Sequence, residues 1–162
     1  MPDDRSSPTK QVLPLKRLVA MEPMRFGIDV DGTISQAPRH FKRLIDALIE
    51  HGNEVYIITG RKDDIRQQTE ALLASLRIRY TKLVTRPQDS QDSVTEFKVR
   101  MVLEKGIHLM IDDDAENCWA IQQRTPALAA HMLPIPEMPE ARAAKARLRR
   151  QEIRRQISKA TT

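Results

Sequence analysis

From Met24 onward the chain alternates short apolar runs with stretches in which apolar residues recur every three or four positions. MRFGIDV reads as a buried strand. HFKRLIDALIEHG sets Phe41, Leu44, Ile45, Leu48 and Ile49 along one helical stripe that Gly52 closes. EVYIITG is a second strand, and DDIRQQTEALLASL a helix with two acids in its first turn, as the helix dipole favours. RYTKLVT is a weaker strand, TEFKVRMVLEKG a helix ended by glycine, HLMIDDD another strand, AENCWAIQQR a short helix and PALAAHMLP a final edge strand. Strand and helix in strict alternation predict an α/β fold: a three-layer, Rossmann-like parallel sheet of about five strands with helices on both faces. Ligands of such sheets bind at the carboxyl ends of the strands.

The flanks differ from this body. Residues 1 to 22 hold three prolines and mixed charge without periodicity, and are expected to form an irregular arm. The body is expected over residues 23–136. Residues 137–162 hold eight Lys and Arg against three Glu, which accounts for the whole formal net charge of +5. The excess therefore belongs to a tail, expected to be helical beyond Pro139, while the body is balanced. A single cysteine, Cys118, excludes an internal disulfide and suits a reducing compartment such as the cytoplasm. No apolar run reaches the roughly 20 residues of a membrane span, so no membrane partner is expected. MPDDRSSPTK lacks the basic start and apolar core of a secretory signal.

Acidic residues collect where the predicted strands end. FGIDVDGTIS puts Asp29 and Asp31 two apart, so in an extended chain they face the same way. Two carboxylates that close share a proton or a cation, although D-G also suits a plain surface turn. YIITGR places Thr59, Gly60 and Arg61 on the same edge, where a hydroxyl and backbone N–H groups suit an anionic oxygen; a helix-capping threonine is the alternative. MIDDDAEN brings three more acids, of which Asp114 is explained as a helix cap. Asp112 or Asp113 supplies a third carboxylate for a hard cation. Lys98, expected in the first turn of its helix, opposes the dipole there and makes sense facing negative charge.

The set hhDxDGT at Asp29 to Thr33, hhTGR at Thr59 to Arg61, a helical lysine at Lys98 and hhDD at Asp112–Asp113 resembles, in order and spacing, the motifs of the haloacid dehalogenase (HAD) superfamily of phosphohydrolases. The likeness spans residues 24 to 118. It implies a Mg²⁺-dependent phosphatase in which Asp29 attacks phosphorus to form an aspartyl-phosphate, while Asp31 protonates the leaving group and later activates water. It further implies that Thr59 holds a phosphoryl oxygen, that Lys98 steadies nucleophile and phosphoryl group, and that Mg²⁺ sits between Asp29, the Asp31 carbonyl and Asp112 or Asp113. Asp112 is preferred because it directly follows the apolar strand. Thr33, Gly60 and Arg61 are the candidate substrate contacts.

Many relatives insert a lid, but the segments after Ile34 and from Lys62 to Phe97 are too short to hold a domain, so the site is expected to be open, without a cap. The substrate is then a phosphorylated group of open class: nucleotide, sugar phosphate or macromolecule. The basic tail makes a nucleic-acid end one candidate. A solvated tail, or one docked on a second copy in a homo-oligomer, is the other reading. A phosphate- and metal-binding protein without turnover is the alternative function.

Overall fold

The computed structural model describes residues 22–133; the basic tail and nearly all of the N-terminal arm lie outside them. Five strands alternate with four helices: β1 (Arg25–Ile28), α1 (Pro38–Glu50), β2 (Glu54–Lys62), α2 (Arg66–Ser75), β3 (Lys82–Arg86), α3 (Val94–Lys105), β4 (Leu109–Asp112), α4 (Ala115–Arg124) and β5 (Leu128–His131). All neighbours in the sheet are parallel, in the order β3-β2-β1-β4-β5. The predicted Rossmann-like α/β architecture is therefore the one observed, and no inserted domain interrupts the described residues.

Side-chain alternation along the strands explains the three layers. In β2, Val55 and Ile57 join Ile28, Leu83, Phe41 and Ile45 of α1 and Leu73 of α2 in one core cluster. Ile58 turns the other way and joins Val84, Met110, Phe97 and Val102 of α3 and Ile121 of α4 in a second. Burial of both faces is what makes the strands read as continuous apolar runs. The chain steps outward from β1 through β2 to β3, then returns to β4 on the other side. The strand order therefore reverses between β1 and β4, which opens a crevice at their carboxyl ends.

Three local readings change. Leu44 leaves the predicted stripe and is 41% exposed, because only Phe41, Ile45 and their neighbours Leu48 and Ile49 meet the sheet. The acids Asp63 and Asp64 form a separate 3-10 turn, so α2 begins only at Arg66. Ser93 caps α3 by accepting from the Glu96 N–H, which starts that helix at Val94 and moves Lys98 into its second turn. There the lysine points under the helix into the protein rather than at its dipole.

Candidate active site

β1 ends at Ile28, and the Asp29 N–H continues the ladder by donating to the Ile111 carbonyl at 3.0 Å. That bond holds Asp29, 3% exposed, at the mouth of the crevice. Lys98 is equally buried and reaches in from α3. Its Nζ donates to Asp29 Oδ1 at 2.9 Å and to Asp112 Oδ2 at 2.6 Å. Burial alone would drive the proton off the lysine, but the two carboxylates beside it hold its pKa above the usual value. Asp29 responds the other way. Desolvation pushes its carboxyl up to about 7, against the lowering pull of Lys98 and with the Asp112 charge adding to the rise.

The neighbouring acids divide the work between them. Asp112 is fully buried and both its oxygens are engaged: Oδ2 by Lys98, Oδ1 by the Asp114 N–H at 3.0 Å and Asn117 Nδ2 at 3.3 Å. Asn117 is aimed in turn by the Thr95 hydroxyl, which donates to its Oδ1 at 2.8 Å. Asp114 caps α4 by accepting from the Glu116 and Asn117 N–H groups, as its position suggested. Asp113 is half-buried, and its side chain accepts a long 3.4 Å hydrogen bond from the Thr33 hydroxyl. Its carboxylate lies directly over Gly32: a Cβ there would stand 1.9 Å from Asp113 Oδ2, and the φ of +75° independently favours glycine. Asp29, Asp112 and Asp113 each offer an oxygen within 4.8 Å of the others. An all-oxygen set with a cradle cut for one carboxylate fits a hard cation.

Asp31 departs from the expected arrangement. Its carboxylate does not share the trio's space but turns outward to Arg61, which donates from Nε to Oδ2 at 2.8 Å and from Nη2 to Oδ1 at 2.6 Å. Asp31 lies beyond β1 in the tight turn Val30–Ile34, where the alternation of a strand no longer applies. The guanidinium holds Asp31 below the usual carboxylate range while Asp29 rises, so the two acids of the DxD pair are electrostatically opposed. Arg61 Nη1 also donates to Thr69 at 3.4 Å. Thr59 is buried at the same edge and its hydroxyl accepts from the Arg61 N–H at 3.3 Å. Gly60 has a packing reason, since a Cβ would stand 2.8 Å from Val94 and push α3 outward.

Asn117, Thr95 and His131 were not legible in the sequence. His131 stands opposite Asp112 in register, and its Nε2 lies 3.0 Å from the Asp113 carbonyl. Asn117 follows Asp114 by three residues on α4, a spacing that could have signalled it.

No protein-family model matches the chain, and no curated protein sequence does. Solved structures of like fold include a chain of the Pnkp1/Rnl/Hen1 RNA repair complex, 18% identical with a TM-score of 0.59 over 68% of this chain and 42% of that one. A second structure of the Pnkp1/Rnl/Hen1 complex gives 19% identity and a TM-score of 0.56 over 71% of this chain and 48% of the other. The chain thus spans less than half the length of either neighbour, and the likeness is one of fold. Fold and site together define a Rossmann-like α/β protein with a lysine-bridged acidic centre at its switch point.

Proposed function

We propose that the protein is a phosphomonoester hydrolase of the HAD type, open and without a cap, that works through a phosphorylated Asp29. The observation that carries this reading is the buried ammonium of Lys98 held between Asp29 and Asp112, with Asp113 beside them. A lysine so placed lets a buried carboxylate exist as a nucleophile and meets the negative charge of an arriving phosphoryl group. Phosphoryl transfer asks chiefly for such positioning and charge neutralisation.

Asp29, Asp113 and the Asp31 carbonyl are the groups that would hold Mg²⁺, which when bound neutralises charge on the phosphoryl oxygens. Strand position favoured Asp112 as the third carboxylate; in this reading Asp113 takes that place, because the Asp112 oxygens already accept from Lys98, the Asp114 N–H and Asn117. Asp29 attacks phosphorus as the bond to the leaving oxygen breaks, and Asp31 gives that oxygen a proton. Water then attacks the same phosphorus, returns a proton to Asp31 and frees Asp29 and inorganic phosphate. Pairing with Arg61 disfavours the protonated form of Asp31, so release from Arg61 helps it carry a proton. A phosphoryl oxygen competing for the guanidinium supplies that release and makes Arg61 a substrate contact, with the Thr59 hydroxyl next to it.

The test is turnover of an aryl phosphate with Mg²⁺, with EDTA, and by Asp29→Asn. Loss of activity under both treatments is expected; activity that survives both removes the mechanism. The Asp31–Arg61 pair also favours a second reading, a phosphate-binding protein without turnover, since a clamped Asp31 yields no proton. Mg²⁺-dependent protection against heating by beryllofluoride, in protein that hydrolyses none of a broad panel of esters, decides for it.

A further inference from the structure

At the carboxyl edge of the sheet most cations are already matched. Lys98 sits between two carboxylates, Arg61 holds Asp31, and Arg66 pairs with Glu70 while donating to Thr85 and the Leu83 carbonyl. Lys62 and Arg86 are different. Lys62 Nζ donates to the Gln88 carbonyl at 3.3 Å, and Arg86 Nη1 to the Asp92 carbonyl at 3.0 Å. Among the described residues neither forms a salt bridge, and Arg86 Nε is buried with no hydrogen-bond partner. A buried donor left without an acceptor is disfavoured and calls for an explanation. Of the acids on the adjoining segments, Asp63 accepts from the Thr85 hydroxyl and Asp92 pairs with Arg100 at 2.8 Å, and neither forms a salt bridge with Lys62 or Arg86.

The two cations are also brought together by the backbone. Pairing between β2 and β3 shifts register after Ile58 and resumes at Lys62 opposite Arg86, the last residues of their strands. Such irregularities re-aim side chains beside functional sites. β1, β2 and β3 are successive neighbours, and Ile28 pairs with Ile57, which sets Asp29 level with Ile58; Lys62 and Arg86 therefore stand one and two strands to the side of Asp29 and, counted along β2, four residues, roughly 13 Å, further along the strand direction. One phosphoryl group cannot span that separation.

Resting on the phosphatase reading above, we propose that Lys62 and Arg86 form a second anion subsite, and that the substrate is a phosphomonoester bearing a further phosphate on the β2–β3 side of the site, more than about 10 Å, or roughly four residues of strand rise, from the group that Asp29 attacks. The group that Asp29 attacks and the group that Lys62 and Arg86 hold are then different phosphates of one molecule. A compact bisphosphate and the first phosphodiester of an oligonucleotide end share this chemistry.

Three substrates separate the cases: phenyl phosphate, a nucleoside 3′,5′-bisphosphate and a 5′-phosphorylated tetranucleotide. The wild type is expected to prefer at least one of the doubly charged substrates in kcat/KM over phenyl phosphate. Lys62→Ala and Arg86→Gln are each expected to cut that preference about tenfold, mainly through KM, as loss of a charged hydrogen bond does. Lys62 keeps the test clean, because its side-chain hydrogen bond among the described residues goes to the carbonyl of the exposed Gln88. A drop for both substrates assigns the subsite to any second phosphate; a drop for the tetranucleotide alone assigns it to a phosphodiester. No preference in the wild type, or a preference untouched by Lys62→Ala, overturns the subsite. If no ester is hydrolysed, the phosphatase reading fails and the subsite is judged by calorimetry with the bisphosphate. A Kd about tenfold weaker in Lys62→Ala then supports it, and an equal Kd or no binding overturns it.

Discussion

The Asp29 carboxyl is held in strong electrostatic tension. Asp29 has an ordinary pKa of 3.8 that burial pushes up to about 7 in the folded chain. A raised folded-state value means that the group favours folding while protonated. Its contribution is complete below about pH 4 and disappears as the pH climbs through 7. Metal-free protein should therefore lose stability across that window, by up to about 4 kcal/mol from this group. Asp29→Asn, which cannot ionise, should flatten that part of the curve. Mg²⁺ should do the same for the wild type by favouring the ionised carboxylate. Urea unfolding at pH 5 and pH 7.5, with and without EDTA, measures both. Equal slopes for wild type and Asp29→Asn would show that Lys98 compensates the buried charge fully.

The elements meet closely where the site is built, and the clearest instance is the contact of β2 with α3. Gly60 lies beneath Val94, the first residue of α3, with room for no more than a hydrogen. Gly60→Ala should lever the start of α3 away from the sheet, and Lys98 travels on that helix. Overpacking of this kind costs about 1–3 kcal/mol. The second substitution Val94→Ala removes the atoms in the way, so the double variant should recover most of the loss, a coupling that denaturation of the three variants reads directly. Additive losses would mean that the strand end yields instead. Gly60 thus illustrates a glycine required by packing where the motif alone suggested a phosphate contact.

At the scale of the molecule, charge and fold are separate. The body that forms the sheet is balanced, while residues 137–162 carry the basic excess. No helix among the described residues is long and apolar enough to cross a membrane. If the substrate is a nucleic-acid end, each tail cation on a backbone phosphate adds roughly −0.7 to −0.9 to the log–log salt slope of binding. Removing residues 140–162 should then flatten the slope for an oligonucleotide and leave hydrolysis of a small aryl phosphate nearly intact. Lost aryl phosphate turnover with oligonucleotide binding unchanged would instead mark the tail as a structural or oligomer contact.

The order of apolar runs and amphipathic stretches determined the parallel sheet and its two helical layers, because burial on both faces leaves a periodic trace in the chain. It also determined which edge carries the polar site residues, since Asp29, Thr59 and Asp112 each stand where an apolar run stops. What the trace cannot hold is the direction of a side chain after its strand has ended. Asp29 and Asp31 look equivalent at a spacing of two, yet the sheet ladder holds the first against Lys98 while the turn Val30–Ile34 hands the second to Arg61. Asp112 and Asp113 look interchangeable, yet packing closes both oxygens of one and lays the other over Gly32. Thr95 of α3, Asn117 of α4 and His131 of β5 join the centre through contacts with one another's elements and with the end of β4. Those choices depend on neighbours distant in sequence, and only the tertiary structure brings them within reach.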